Sequence, residues 1–318
     1  MTRGGQRQPL APGSVSLRLY PHLELPANEV VDELVTQARL ATASGFDGTM
    51  VSEHHNGFGG YLPNPIQAAG WILESTAEGW SAPCPLLLPL RPTALVAEEL
   101  AWMAVRFPGR VAAGVAAGSL EGDFTVMGAT KENLTERFSA GLADLSRMMS
   151  GRDAGALGGD LAVSHCAREP VPLVSAAMSP TAVRRAAAAE VGILLDSLTD
   201  LGRCRELREI YEQAGGSGPV VIVRRVWVGT PPTEAQARQR ALYESYASDG
   251  ATAHWQGEQM AASDDPDEVA AQLAAQVEAV RADSLNLRVH TPGLAVEAVR
   301  DQIGELARVL EILRTRWP

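Results

Sequence analysis

The chain has 318 residues, too many for one small sandwich or bundle and well suited to one large α/β barrel or two modest domains. With 46% apolar and 20% charged residues it can bury a sizeable interior, which excludes a disordered protein. The 27 basic and 38 acidic residues leave a formal net charge of -11, which repels phosphate backbones and anionic lipid and excludes nucleic acid and membranes as partners.

Lys131 is the only lysine, which argues against aldolase-type or pyridoxal Schiff-base chemistry. Cys84, Cys166 and Cys204 show no CxxC spacing, so neither a disulfide nor a zinc site is expected, and a cytoplasmic location is. Residues 1–14 are rich in Gly, Pro, Gln and Arg without an apolar run, and are expected to form a disordered leader.

From Val15 onward short apolar runs alternate with helical periods, the pattern of βα units around a parallel sheet. The expected strands are Val15–Tyr20, Gly48–Ser52, Leu86–Leu90, Arg110–Ala116, Val171–Ala176, Gly192–Leu195, Val220–Val228 and Ser284–Val289. The first helix carries Val30, Leu34, Ala38 and Ala41 on one face, and the last Val296, Val299, Ile303, Leu306, Leu310 and Leu313. Asn64-Pro65 and Ser179-Pro180 each place a capping side chain before a proline that opens a helix. Gly151–Asp160 reads as a surface loop and Tyr246–Asp265 as a longer one, either a lid or a tether before a helix at Pro266–Val280. Eight βα units without a separating linker define an α/β fold: a single (β/α)8 TIM barrel over residues 15–318, with loop insertions.

Catalytic groups of such barrels sit where strands end. His22, His54, His55 and His290 fall at those ends. His54 and His55 are adjacent and point to opposite sides of extended chain, and HxH and HExxH are absent, so no metal site is expected. A histidine without a metal acts as a base, a donor or a positive dipole, or simply packs. Glu53 either orients a neighbour or pairs with an arginine. Ser179-Pro180-Thr181 starts a helix whose amides and hydroxyls suit a phosphate, although capping alone explains it. Gly114 to Gly118 is a run of small residues that leaves room for a flat ligand or permits close packing. Among the tryptophans, Trp255 in the long loop is the best candidate for a pocket wall.

Gly45-Phe46-Asp47, Ser52-Glu53-His54-His55 and Pro63-Asn64-Pro65 resemble the opening of the bacterial luciferase-like, flavin-dependent monooxygenases. So do Leu88-Pro89, Ala97-Glu98-Glu99, Gly109-Arg110, Gly114-Val115, Asp123-Phe124 and Gly128, in the same order along the chain. The resemblance implies a luciferase-like barrel that binds reduced FMN, supplied by a separate flavin reductase, at the C-terminal ends of its strands. Reaction with O2 would give a flavin hydroperoxide that oxygenates a small organic molecule, such as a specialised metabolite. It further implies His54 as the catalytic histidine, with His55 and Glu53 beside it, and Ser179, Thr181 and Arg137 around the FMN phosphate. His22 and Ala116 would lie near the flavin, as would a cis bond at Cys84-Pro85, where a proline makes the bend at little cost. Ala116 and Ala117 stand where luciferases proper have cysteine and arginine, which argues against light emission. Two other readings share the barrel: a deazaflavin-dependent oxidoreductase and a non-catalytic flavin-binding subunit. A homodimer formed through the early helices is also implied.

Overall fold

The computed structural model describes residues 6–246 and 260–317. Its ten parallel strands are β1 (Ser14–Leu19), β2 (Gly48–Val51), β3 (Trp80–Pro83), β4 (Leu86–Leu87), β5 (Ala113–Ala116), β6 (Leu173–Ala176), β7 (Gly192–Leu195), β8 (Val220–Val228), β9 (Met260–Ser263) and β10 (Ser284–Arg288). They are ordered β3-β2-β1-β10-β8-β7-β6-β5-β4, with β9 paired to the far half of β8. A bridge between Ser81 of β3 and Val111, just before β5, closes the path, so the sheet curls into a barrel. β3 and β4 are two pieces of one barrel position, separated at the Cys84–Pro85 bond, which is cis as expected.

Two strands depart from the sequence reading. The third barrel position begins at Trp80 rather than Leu86, because Trp-Ser-Ala-Pro carries no β-branched residue to mark it, and Leu88–Leu90 is a 3-10 turn. β9 lies inside the stretch expected to be loop; residues 247–259 of that stretch, with Trp255, fall outside the described residues.

The helices cover the barrel with one apolar face each. In α1 (Ala27–Ala43), Val30, Leu34, Ala38 and Ala41 are buried as their spacing requires. The others are α2 (Pro65–Ser75), α3 (Thr93–Arg106), α4 (Glu121–Val126), α5 (Leu134–Met149), α6 (Leu161–His165), α7 (Pro180–Ala188), α8 (Leu201–Gln213), α9 (Thr233–Tyr246), α10 (Pro266–Val280) and α11 (Val296–Arg316). Asn64 and Ser179 cap α2 and α7 by accepting from the amides of Gln67 and Ala182. Among the described residues no helix is long and apolar enough to cross a membrane.

Residues 6–13 correct the expectation of a disordered leader. They pack against the N-terminal end of the barrel, where Leu10 is buried with Met50, Trp80 and Val221 and so plugs the barrel's base. Asp47 anchors this end: its carboxylate accepts from the amides of Arg7 and Val15 and from Arg314 of α11. With the base closed, a ligand has the opposite end available to it.

Candidate functional site

Side chains alternate along each strand, so one residue in two faces the barrel interior. On β5, Gly114 faces inward where a Cβ would come within 2.2 Å of Cys84 Sγ, so its small size serves close packing. Ala116, two residues further along the same strand, faces a cavity of about 440 Å³ at the C-terminal end, so its small size leaves room. Both readings of the small-residue run hold, at different positions.

The cavity's floor is formed by Arg18, Ser52, Pro85 and Val223. One wall is small and apolar, from Ala116, Gly118, Ala176 and Met178, and the other is aromatic, from Tyr20, Tyr61 and Tyr243. His54 lies in the wall between β2 and Tyr61, its ring 4.4 Å from the Tyr61 ring and edge-on to it.

Among the expected histidines, His54 lines the cavity and the others do not. Its Nδ1 lies 2.8 Å from Asp123 Oδ2, and Asp123 Oδ1 accepts from the His55 amide at 2.7 Å. Burial pulls the Asp123 carboxyl upward, but the His54 ring and the His55 amide outweigh it and hold the group below the usual carboxylate range. Asp123 is therefore ionised near neutral pH and accepts from Nδ1–H, so in the neutral ring Nε2 is the acceptor. This is the arrangement of an oriented general base.

His55 turns the other way, into the protein, as adjacency in extended chain requires, and its Nε2 lies 2.9 Å from Glu53 Oε1. Glu53 both orients this neighbour and pairs with Arg91, while its Oε2 accepts from the Leu87 amide at 2.6 Å. Burial raises the Glu53 pKa, opposed by Arg91, the Leu87 amide and His55. Glu53 thereby fixes the ends of β2 and β4, on either side of the pocket floor.

His22 is fully buried outside the lining, with Nδ1 2.6 Å from Glu24 and its ring stacked 4.2 Å from His290. Burial first, then the charges of His22, Arg288 and Arg225, lower the His290 pKa to about 3, so it is a neutral packing residue. Ser179 follows the pocket-lining Met178, and its Oγ is engaged by the Ala182 amide; Thr181 is exposed in the same turn. Arg137 donates to the carbonyls of Thr130 and Pro89, both at 2.7 Å. Pro85 lines the cavity, whereas Cys84 is buried beneath it.

Burial pushes the Cys84 thiol up to about 11 and raises those of Cys166 and Cys204. The three free thiols are accordingly expected to resist an aromatic disulfide reagent at pH 8 until the protein is denatured. Rapid labelling of the native protein would contradict this.

Sequence reasoning did not assign roles to Asp123, Arg18, Ser52 or the tyrosine wall. Asp123 had stood out only as part of a motif, because 69 positions separate it from His54 and the barrel alone joins them.

A parallel α/β barrel with a buried base and an oriented histidine at the open end defines a barrel enzyme. Residues 13–310 match the family model of the luciferase-like monooxygenases, and the chain belongs to that family. It is 28% identical over 117 residues to the alkanal monooxygenase alpha chain of Photorhabdus laumondii. That match covers 37% of this chain and 33% of the relative, so it spans about a third of the curated relative's length. Among solved structures, a monooxygenase from Streptomyces bottropensis superposes with a TM-score of 0.75 at 19% identity, over 96% of this chain and 100% of that one. The oxygenating constituent of 3,6-diketocamphane monooxygenase from Pseudomonas putida, in complex with FMN, gives 0.69 at 17%, over 96% and 97%. An F420-dependent secondary alcohol dehydrogenase gives 0.70 at 16%, over 95% and 99%. At such identities these structures share the fold.

Proposed function

We propose that this protein is the cytoplasmic oxygenating component of a two-component monooxygenase, taking reduced FMN from a separate flavin reductase and using O2 to oxygenate a small organic substrate. The observation that carries the reading is the Asp123–His54 pair set in the wall of the 440 Å³ cavity. A cavity of that size suits a ligand of cofactor dimensions. The wall of Ala116, Gly118 and Ala176 suits a flat ring, and the tyrosine wall opposite excludes water from it. The residues present fit a flavin.

FMN would supply the oxygen-activating redox chemistry, and the chain supplies position and protons. Small side chains on one face and aromatic ones on the other hold the ring and its substrate together. His54 Nε2 holds or moves a proton at the ligand, with Asp123 fixing the ring's tautomer. Ser179 and Thr181 at the start of α7, with Arg137, form the seat we assign to the phosphate, where the helix amides and a guanidinium both favour an anion.

Anaerobic titration with reduced FMN is the direct test. Stoichiometric binding, followed by substrate-dependent O2 uptake, is the expected result. Binding of reduced deazaflavin in place of reduced FMN would instead move the protein to the hydride-transferring branch that shares this barrel.

We also propose a homodimer. Leu95, Trp102 and Val105 are exposed on one face of α3, and exposed Leu161 of the adjoining α6 extends the patch. Sedimentation is expected to show a dimer at micromolar concentration and a monomer for the doubly substituted Leu95→Glu, Val105→Glu protein. A monomeric wild type would remove this proposal.

A further inference from the structure

The aromatic wall of the cavity carries a pair of hydroxyls whose protons outnumber their acceptors. Tyr61, in the loop after β2, and Tyr243, near the C-terminal end of α9, both line the cavity, and their hydroxyl oxygens lie 2.9 Å apart. Arg288, the last residue of β10, donates from Nη2 to the Tyr243 hydroxyl at 2.8 Å. That hydrogen bond ends on a phenol oxygen and uses no phenolic proton. The two phenols have two protons, and whichever of them donates to the other, a single O–H···O bond uses one. Among the described residues neither hydroxyl has a further partner. One phenolic proton is therefore left over in the cavity wall.

The surrounding residues hold this donor in place and keep it protonated. Burial first, then Tyr20 and Tyr243, raise the Tyr61 pKa well above the usual phenol value against the pull of Arg288. Arg288 is 5% exposed, and its guanidinium lies 4.8 Å from the centre of the Tyr20 ring and 5.6 Å from that of the Tyr243 ring, which fixes the cation beside the pair. A phenol that accepts from a guanidinium donates more strongly in turn. The Tyr61 ring also stands edge-on to the His54 ring, so whatever takes the left-over proton is bound next to the Asp123–His54 pair. A ligand that fills the cavity displaces water from this O–H and must supply an acceptor in exchange, or leave a donor unpaired.

The charges around the cavity favour a neutral acceptor. Arg18, Arg288, Glu53 and Asp196 line it, and the ion partners of the lining residues add Arg91 and Asp123, so with His54 neutral three arginines stand with three carboxylates and the formal charge is zero. A carbonyl oxygen takes the proton without disturbing that balance. The opposite wall of Ala116, Gly118 and Ala176 suits the flat flavin ring, so the hydroxyl-bearing wall faces the substrate. Resting on that functional reading, we propose that Tyr61 and Tyr243 are specificity-determining residues: the proton that the pair does not use engages a carbonyl oxygen of the substrate and disfavours molecules of the same shape that lack one. A substrate carboxylate and a carbonyl of the flavin itself offer the same acceptor, and the experiment separates them.

The test compares acetophenone with α-methylstyrene, in which a CH2 group replaces the oxygen, by anaerobic equilibrium dialysis against the complex with reduced FMN and against the free protein. The wild-type complex is expected to bind the ketone at least about tenfold more tightly than the alkene. The double variant Tyr61→Phe, Tyr243→Phe is expected to lose that preference, with its affinities for α-methylstyrene and for reduced FMN little changed. Each single phenylalanine variant keeps one phenolic proton and is expected to keep most of the preference. A preference that persists in the double variant overturns the proposal, and a loss of reduced-FMN affinity there would assign the proton to the flavin. Equal weakening of both probes in the double variant would show a structural role and overturn it, as would complete loss of the preference in either single variant. Tighter binding of benzoate than of acetophenone by the wild type would assign the site to a carboxylate and overturn it too. If the double variant does not fold, the wild type decides: equal affinity for ketone and alkene, or binding of neither, overturns the proposal. Failure of the wild type to bind reduced FMN would defeat the flavin reading instead, and the preference of the free protein would then decide this proposal.

Discussion

Replacing His54 with alanine is expected to reduce kcat by about 10²–10⁴-fold, the range that a positioned acid or base contributes, while leaving the fold intact. The ring stands in the cavity wall, 20% exposed, and its packing partners Phe58 and Tyr61 also contact each other. Far-UV circular dichroism and the affinity for reduced FMN should therefore change little while substrate-dependent O2 uptake falls. Asp123→Asn is expected to act in the same sense, with at least about a tenfold loss, because an amide facing Nδ1 can donate and so favour the wrong tautomer. If the His54→Ala enzyme turned over at the wild-type rate, the dyad would have no part in the chemistry.

The second large effect concerns stability and lies at the opposite end of the barrel. Asp47 is fully buried; its Oδ2 accepts from the Val15 amide at 2.8 Å, and Oδ1 from the Arg7 amide and Arg314 Nη2, both at 3.0 Å. Asp47→Ala leaves these donors unmet at once, including a charged one, and is expected to cost about 3 kcal/mol. For a chain of this length that lowers the thermal midpoint by roughly 4–5 °C. The Val15 amide lies at the N-terminal end of β1, so the loss falls on the barrel's base and not on the cavity. Affinity for reduced FMN, measured well below the transition, should stay within about twofold, less than 0.6 kcal/mol. A midpoint equal to that of the wild type would show that the three-way anchor contributes nothing.

The parts of the fold that could be read in the sequence are those whose signal is local. Gly192–Leu195 and Val220–Val228 are strands with the expected bounds, because runs of Val, Ile and Leu between helical periods have few alternatives. Asn64-Pro65 and Ser179-Pro180 mark helix starts because each cap lies within three residues of the amide it satisfies. β9 escaped notice because Met-Ala-Ala-Ser has neither β-branching nor alternation, and its pairing with β8 is what makes it a strand. Leu10 looked like part of a polar leader, yet the barrel offers it a hydrophobic base that no neighbour in sequence reveals. At the site, the opposite directions of His54 and His55 follow from strand geometry and were legible. The Asp123 partner and the Arg18 floor were not, because both are created by barrel closure.

The pairing of β1 with β10 also has a temporal meaning. β1 and β10 pair in register across 270 residues, from Ser14 opposite Ser284 to Leu17 opposite Leu287. On the ribosome, β1 emerges before β10 and must wait with an open edge until the residues between them have been synthesised, and such distant pairings form slowly. An incomplete chain ending before Ser284 would lack Asn286, and with it the acceptor that aims Arg18 into the cavity. The charged floor is thus completed only with the final turn of the barrel, so a nascent chain cannot capture its ligand before its architecture is sealed.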